Sequence, residues 1–276
     1  MIELSIIIVS YNARADLERC LASLHEAPPA LPHEIIIVDN ASTDGSPVGA
    51  RAWPDVRVIE RHTNGGFAVA NNVGIRASRG ELLLLLNSDT VVPPGALDRL
   101  VTALRGHDDA AVAGPRLVDG HGVPELSFGS MLTPWTEWRR RRLLRRLTRN
   151  DRRALDAVDA ATRREHWPDW VTGACLLVKK ADAEAVGLLD ERYFMYIEDV
   201  DFCAAIRACG RKILFTPAAE VVHQRGRSAA TAPGATRAAY ERSHLAFYQK
   251  HYPRLARFVR MYRGSASLPV RPTRPA

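Results

Sequence analysis

Glu81-Leu-Leu-Leu-Leu-Leu-Asn-Ser-Asp-Thr90 runs five leucines straight into a polar turn. An apolar run of this length, bounded by Gly80 on one side and by Asn87, Pro93 and Pro94 on the other, predicts a strand buried on both faces, as in a parallel sheet. Ligands of open α/β sheets bind outside the carboxyl ends of the strands. Asn87, Ser88 and Asp89 therefore stand where a ligand would be. The same residues also suit an Asx turn that caps a helix starting near Pro93, so this stretch alone leaves both readings open.

The flanking sequence repeats the pattern. Leu4-Ser-Ile-Ile-Ile-Val9 is β-branched and exits into Ser10-Tyr11-Asn12, and Glu34-Ile-Ile-Ile-Val38 exits into Asp39-Asn40-Ala-Ser-Thr-Asp44-Gly45. Between them Leu17, Cys20, Leu21 and Leu24 have helical spacing, with Asp16 and Glu18 placed for a first turn. Strand, helix, strand predicts a right-handed βαβ unit. A shorter strand, Val56-Arg-Val-Ile59, precedes Asn64-Gly65-Gly66 and a helix from about Phe67 to Ser78. Four strands thus deliver Tyr11, Asp39, Asn64 and Asp89 to one rim.

Bulk properties narrow the class. The chain has 276 residues with 46% apolar content, enough for a full core as one large or two small domains. No apolar run approaches the roughly 18 residues of a membrane span, and the N-terminus enters a strand at once, without the apolar region of a signal peptide. Cys20, Cys175, Cys203 and Cys209 lack C-x-x-C spacing and read as reduced, packed thiols, which points to the cytoplasm. The net charge of +7 is uneven: residues 139–153 hold nine arginines against one acid, and 227–276 hold ten Lys and Arg against one acid. The first 138 residues carry ten basic against seventeen acidic side chains. If that half binds a phosphorylated ligand, a divalent cation held by carboxylates is the natural neutraliser.

Gly65-Gly66 is not a dinucleotide fingerprint, because G-x-G-x-x-G spacing is absent, and there is no Walker lysine loop. Asp39 has a specific chemical use, since a carboxylate accepts from the N3–H of uracil or thymine while cytosine presents an acceptor there. An Asx turn at a strand end is its plain alternative.

Val38-Asp-Asn-Ala-Ser-Thr-Asp-Gly45, Asn64-Gly-Gly-Phe-Ala-x-Ala-x-Asn72-x-Gly74, Leu86-Asn-Ser-Asp89 and Tyr193-Phe-Met-Tyr-Ile-Glu-Asp-Val-Asp201 together resemble family 2 glycosyltransferases, most closely the bacterial rhamnosyltransferase-like branch. The matches span about residues 4 to 226 in the family's order. The resemblance implies an α/β GT-A (Rossmann-like) fold: a mostly parallel sheet flanked by helices, here with a C-terminal helical extension. It also implies a nucleotide-sugar donor, a divalent metal (Mn²⁺ or Mg²⁺) and inversion at the anomeric carbon. Donor-binding candidates are Ser10, Tyr11, Asn12, Asp39, Asn40, Asn64, Gly65, Gly66, Asn71, Asn87, Ser88, Asp89 and Gly173. Asn87 departs from the family's frequent Asp-x-Asp and brings no charge, so Asp89 is the one anionic metal ligand of its turn. In some members a histidine completes the metal shell at the place His223 occupies. The family's Glu-Asp pair lies under the acceptor hydroxyl, which assigns Asp199 as base and Glu198 as its neighbour.

The second half supplies context. Leu97, Leu100, Val101 and Leu104 predict a helix ended by Gly106, and Ala110–Ala113 a short strand. Trp170 to Val178 reads as one strand, in which Gly173 permits close backbone approach to a ligand. Glu198 to Gly210 reads as a helix whose N-terminal dipole would keep a carboxylate ionised. A basic insert, 135–165, threads Trp135, Trp138, Leu143, Leu144 and Leu147 through Arg139–Arg142, Arg145, Arg146 and Arg149. It suits either an amphipathic helix at an anionic membrane surface or an arginine-rich segment whose leucines dock on the protein. Nucleic-acid binding is not supported, since no fold signature accompanies the charge. The domain expected is 1–226, with a nucleotide-sugar half, 1–105, and an acceptor half, 106–226. Beyond it, 227–276 forms a basic extension with Leu255, Phe258, Val259 and Tyr262 at helical spacing and a disordered tail.

The activity expected is metal-dependent, inverting transfer, first of rhamnose from dTDP-rhamnose, to a glycan or polyprenyl-linked acceptor in cell-envelope polysaccharide synthesis, at the inner face of the membrane. A UDP-hexose donor, or a non-catalytic membrane-associated module, are the alternatives. A sugar nucleotidyltransferase would need a Gly-rich, lysine-bearing N-terminal loop. A glycoside hydrolase would need no sheet-edge base site. A processive synthase would carry membrane helices and Gln-x-x-Arg-Trp. The sequence does not fix the oligomeric state.

Overall fold

The structure, a computed structural model, describes residues 1–224 and 233–256. The first half runs β1 (Leu4–Ser10), α1 (Arg14–Glu26), β2 (His33–Asp39), α2 (Ser46–Arg51), β3 (Val56–Glu60), α3 (Gly66–Ala77), β4 (Leu82–Asn87), β5 (Thr90–Val91) and α4 (Ala96–Arg105). There follow β6 (Ala110–Val118), β7 (Phe128–Gly129), α5 (Pro134–Thr148), α6 (Arg152–Thr162), β8 (Trp170–Val171) and β9 (Cys175–Lys179). Last come α7 (Lys180–Ala185), α8 (Glu198–Ala208), β10 (Lys212–His223) and α9 (Pro233–His251). The helical spacing expected at Phe258, Val259 and Tyr262, the tail, and Arg225 to Ser228 lie outside the described residues.

Eight strands form one sheet in the order β3-β2-β1-β4-β9-β6-β10-β5, and β7 pairs with β8 in a separate two-stranded ribbon. Strands β3, β2, β1 and β4 are parallel, so their carboxyl ends share one rim. The leucine strand is fully buried, as its composition requires, but it is antiparallel to β9 on its other side. Alternate side chains feed two layers. Ile6, Ile8, Leu84 and Leu86 face one core with α1 and α4, while Ile7, Leu83 and Leu85 face another with α8. That division is why neither face of the run tolerates a polar residue. Helix α3 lies so close to the sheet that a Cβ on Gly74 would meet Ile7 Cγ2 at 2.4 Å.

Chain length forces the sheet to curl. From Asn87 to Thr90 three peptide links reach at most about 11 Å. Strand β5 nevertheless lies four positions from β4 in the sheet order, about 19 Å across a flat sheet. The edge must therefore bend back over the end of β4, and β5 pairs there with β10 through His223↔Thr90 and Val222↔Val91.

Other expectations need correction. Trp170 to Val178 is two strands, because Thr172 to Ala174 leave the ribbon to enter the sheet. The basic insert is two helices, with Leu147 buried beside Ala154 and Val158, while Leu144, Trp135 and Trp138 stay exposed. As expected, Gly106 ends α4, in right-handed conformation, and Gly210, at φ 78°, is the left-handed stop after α8. Cys20, Cys175 and Cys203 are buried free thiols, but Cys209 is exposed at the end of α8.

Helix α9 is tied to α8 and α5 by buried carboxylates. Asp201, 2% exposed, accepts from Tyr193 Oη (3.1 Å), Lys250 Nζ (2.7 Å) and His251 Nε2 (2.6 Å). Glu137 of α5 meets His244 at 2.5 Å and Tyr248 at 3.0 Å. Removing the Asp201 carboxylate strands the buried Tyr193 hydroxyl and takes one partner from the more exposed Lys250 and His251, so Asp201→Ala should lower unfolding free energy by about 1–3 kcal/mol. Urea denaturation checks this, and a change under about 0.5 kcal/mol would show that α9 is not anchored there.

Candidate active site

Ser10 and Asp39 are partners in register, and the buried Ser10 Oγ and Asp39 Oδ1 have no hydrogen-bond partner among the described residues. The other Asp39 oxygen accepts from Ser42 N at 2.9 Å, which is the Asx turn expected as the plain reading. One oxygen thus makes the turn and one is left for a donor. Tyr11, next in the chain after Ser10, is 48% exposed. Asn12, at φ 48°, braces the 42–44 loop by accepting from Thr43 N at 2.8 Å.

Asn40 and Asn64 serve the loop around them. Asn40 Nδ2 donates to Asn64 Oδ1 (2.8 Å) and to the Gly66 carbonyl (3.1 Å), while Asn40 Oδ1 accepts from Arg61 (2.7 Å) and from Gly65 N (3.2 Å). Gly66, at φ 86°, admits no side chain: an added Cβ would lie 2.1 Å from the Phe194 carbonyl oxygen, which accepts from Phe67 N at 2.7 Å. That contact welds the donor rim to the loop before α8. Asn71 is buried and gives its amide to the Phe67 carbonyl at 2.9 Å, so it works within α3.

Asp89 and His223, separated by more than a hundred residues, come together where β5 meets β10. His223 Nε2 lies 3.3 Å from Asp89 Oδ1 and 3.4 Å from Asn87 Nδ2. On its far side His223 Nδ1 lies 3.2 Å from Glu125 Oε2. Burial opposes a charge on His223, but hydrogen bonds and attraction from Asp89 and Glu125 outweigh it and raise its pKa to about 9. A carboxylate behind a histidine is also the arrangement that orients a metal-ligating imidazole. Among the described residues no group of three or more His, Cys, Asp or Glu is placed to hold a metal, so a cation here would need oxygens from its ligand.

Glu198 and Asp199 open α8 after two residues in left-handed conformation, Tyr196 (φ 68°) and Ile197 (φ 70°). Such consecutive non-glycine residues carry strain and persist where the surroundings fix them. Asp199 Oδ2 accepts from Gly173 N at 2.9 Å, so the close approach expected at Gly173 is made to Asp199. Burial, not the helix dipole, governs the two acids. It lifts Glu198 well above the usual carboxylate range, helped by repulsion from Asp199, and lifts Asp199 despite bonds from Gly173 and Val200 and the field of Arg140. The expected ionising effect of the helix start is overruled. Asp199 is half-buried while Glu198 is 6% exposed, and the Oε2 of Glu198 has no partner among the described residues.

Four residues near these groups were not read from the sequence. Burial raises the pKa of the Tyr196 hydroxyl, and repulsion from Glu198 and Asp89 adds to it. The place of Tyr196 just before the acids was a usable signal. Arg61 braces Asn40, Arg140 bears on Asp199, and Glu125 backs His223; no local pattern marks them.

Residues 5–166 match the sequence profile of Glycosyl transferase family 2. The chain is 31% identical over 274 residues to the N-acetylglucosaminyl-diphospho-decaprenol L-rhamnosyltransferase of Mycobacterium tuberculosis, covering 88% of this chain and 83% of that protein. It is 29% identical over 213 residues to the low-salt glycan biosynthesis hexosyltransferase Agl10 of Haloferax volcanii, covering 74% of this chain and 62% of the relative. Among solved structures, the mannosyltransferase PcManGT from Pyrobaculum calidifontis in complex with GDP-Man and Mn²⁺ superposes with a TM-score of 0.62 at 18% identity, over 94% of this chain and 68% of that one. S. aureus TarS 1-349 in complex with UDP gives 0.56 at 20% identity, over 80% and 60%. On this evidence the protein has the GT-A fold, is a glycosyltransferase, and belongs to glycosyl transferase family 2.

Proposed function

We propose that this glycosyltransferase moves rhamnose, with inversion, from dTDP-rhamnose to a sugar hydroxyl of a polyprenyl-diphosphate-linked acceptor, using a divalent metal. The sugar and acceptor are suggested by the mycobacterial relative. The observation that carries the donor half is the orphaned Asp39 Oδ1 beside Ser10 on the β1–β2 rim, a buried acceptor suited to the N3–H of thymine or uracil. A UDP-hexose donor fits that acceptor equally and is the second reading.

Asp89 and His223 would hold the metal, which supplies charge stabilisation for the departing diphosphate. Mn²⁺ accepts an imidazole better than Mg²⁺ does, so Mn²⁺ is the preferred ion. The chain's own residues do the rest. Asp39 and Ser10 hold the base, the Asn64–Gly66 turn fixes the loop below the sugar, and Gly173 N–H positions Asp199. Asp199 takes the proton of the acceptor hydroxyl as that oxygen attacks C1 from the face opposite the leaving group. Its burial makes it a stronger base than a solvated carboxylate once it is ionised. Glu198 stands behind it, with burial and repulsion from Asp199 favouring its protonated form.

Helix α5 offers a membrane contact. Trp135 and Trp138 stack at 5.1 Å between ring centroids and are 63% and 50% exposed, beside Arg139 and Arg142. Among the described residues no helix is long and apolar enough to cross a membrane, so attachment through this face would be peripheral.

Three expected outcomes test these assignments. Titration calorimetry of dTDP and UDP should show binding that needs Mn²⁺ and falls about tenfold or more in Asp39→Ala, the scale of one buried hydrogen bond to a charged group. Equal affinity in EDTA would remove the metal, and an unchanged dissociation constant would return Asp39 to its turn. Asp199→Asn should keep donor binding and lose about 10² to 10⁴ in kcat, with Glu198→Gln losing less. Full turnover in Asp199→Asn with a dead Glu198→Gln would exchange their roles. Finally, sedimentation with anionic liposomes should fall with salt and with Arg139 and Arg142 changed to Gln, at roughly 1 kcal/mol per engaged arginine. Binding insensitive to both would put the contact elsewhere.

A further inference from the structure

Asparagine is poorly suited to the place Asn72 occupies. It lies in the middle of α3 and is 1% exposed, where its helix propensity is low and a buried amide costs free energy unless it is paired. The pairing comes from a segment 117 residues away. Asn72 Oδ1 accepts from Leu189 N at 3.1 Å, and Nδ2 donates to the Leu189 carbonyl at 2.8 Å and to Glu191 Oε1 at 2.9 Å. The two bonds to Leu189 are those that a neighbouring strand would exchange with it, made here by one side chain. Leu189 is itself 2% exposed, so its backbone groups have no water to turn to.

The 189–197 loop leads into the acids of α8 and is bounded by left-handed backbone, with Leu188 at φ 69° before it and Tyr196 and Ile197 at φ 68° and 70° at its end. Non-glycine residues in that region persist where their neighbours hold them. Helix α3 holds this loop at two points: Phe67 N donates to the Phe194 carbonyl at 2.7 Å, and Asn72 pairs with Leu189. Phe67 and Asn72 ascend the helix while their partners descend the loop. One attachment would leave the loop free to pivot, and two fix its direction. Glu191 adds a pairing with Arg76 of α3 at 3.3 Å. Because α3 begins at the Gly65–Gly66 turn and the loop ends at Glu198 and Asp199, these attachments set the spacing between the donor rim and the base.

We propose that Asn72 is a positioning residue for the transfer: by pairing with Leu189 it fixes the 189–197 loop, and through the loop the start of α8, so that Asp199 meets the acceptor hydroxyl in line with the sugar. This assignment rests on the reading of Asp199 as the base. Asn72→Ala removes the partner of two buried backbone groups and frees one end of the loop. The donor rim keeps its own bonds, which run among Asn40, Arg61, Asn64 and Gly66. A displacement of about 1 Å caused far from the reacting atoms costs up to roughly 10²-fold in rate.

The test measures transfer from dTDP-rhamnose to short-chain prenyl-diphosphate N-acetylglucosamine by the wild type, Asn72→Ala, Asp199→Asn and the double variant. Asn72→Ala should lower kcat roughly 10- to 100-fold while the dTDP dissociation constant changes less than about twofold. In the Asp199→Asn background the same substitution should cost less than about threefold, because residues that act through one group are not additive. An equal loss in both backgrounds overturns the proposal and leaves Asn72 a residue of general stability, and full turnover in Asn72→Ala overturns it outright. Full turnover in Asp199→Asn overturns the base reading and the Asn72 assignment with it. Hydrogen exchange gives a readout independent of turnover: in Asn72→Ala, amides 189–201 should exchange about tenfold faster or more, with those of β2 unchanged, the scale of one lost buried hydrogen bond. Unchanged exchange at 189–201 overturns the proposal even for an acceptor that is not turned over. If Asn72→Ala does not fold, Glu191→Ala, which removes a half-exposed partner of the amide, should lower kcat and speed exchange at 189–201 by at least about threefold. No change in either overturns the proposal.

Discussion

Everything at the site depends on how little chain lies between Asn87 and Thr90. The leucine strand is at the centre of the sheet and its successor at the far edge, yet only Ser88 and Asp89 join them. The sheet must curl for the link to close, and the curl carries His223, at the end of the longest strand, onto Asp89. A flat sheet would leave Asp89 a lone carboxylate in a turn. Curled, the sheet makes a corner with a carboxylate, an imidazole and a second carboxylate behind it.

Buried charge performs the equivalent service for the loop before α8 and the acids that follow it. The loop before α8 holds two strained left-handed residues, and its neighbours hold it from three sides. Phe194 is bonded to Phe67, Met195 accepts from Ser243 at 2.8 Å, and Asp201 is fastened to Lys250 and His251 of α9. Glu137 ties α5 to the same helix. Helix α9 therefore positions both the acids and the basic helix that borders them, although it bears none of the residues proposed to touch the donor. Isolated ion pairs of this kind add little net stability, but breaking one strands its partner. Their use here is to fix geometry around a strained loop.

What could be read from sequence was what sequence places locally. Leu4–Ser10, His33–Asp39 and Leu82–Asn87 declare themselves by unbroken apolar runs, and parallel pairing then puts Asp39 and Asp89 on one rim. The Glu198–Asp199 helix start was equally plain. What failed depended on distant contacts. The antiparallel entry of β9, the split after Val171 and the pairing of His223 with Glu125 follow from sheet order, which no window of residues reveals. The helix-dipole reading of Asp199 failed for a different reason. A dipole effect is worth up to about 1 kcal/mol at an exposed helix end, and desolvation in a buried site exceeds it.

The central claim is that two separate corners act on opposite faces of one sugar: Asp89 and His223 on the leaving diphosphate, Asp199 on the incoming hydroxyl. The most direct test is the anomeric configuration of the first-formed product, read by proton NMR from dTDP-rhamnose and a diphosphate-linked N-acetylglucosamine acceptor before any mutarotation or hydrolysis. A single in-line displacement predicts a glycosidic bond of configuration opposite to that of the donor. A product with the donor's configuration would contradict the account, because it would require two displacements and a nucleophile where Asp199 has been assigned as base.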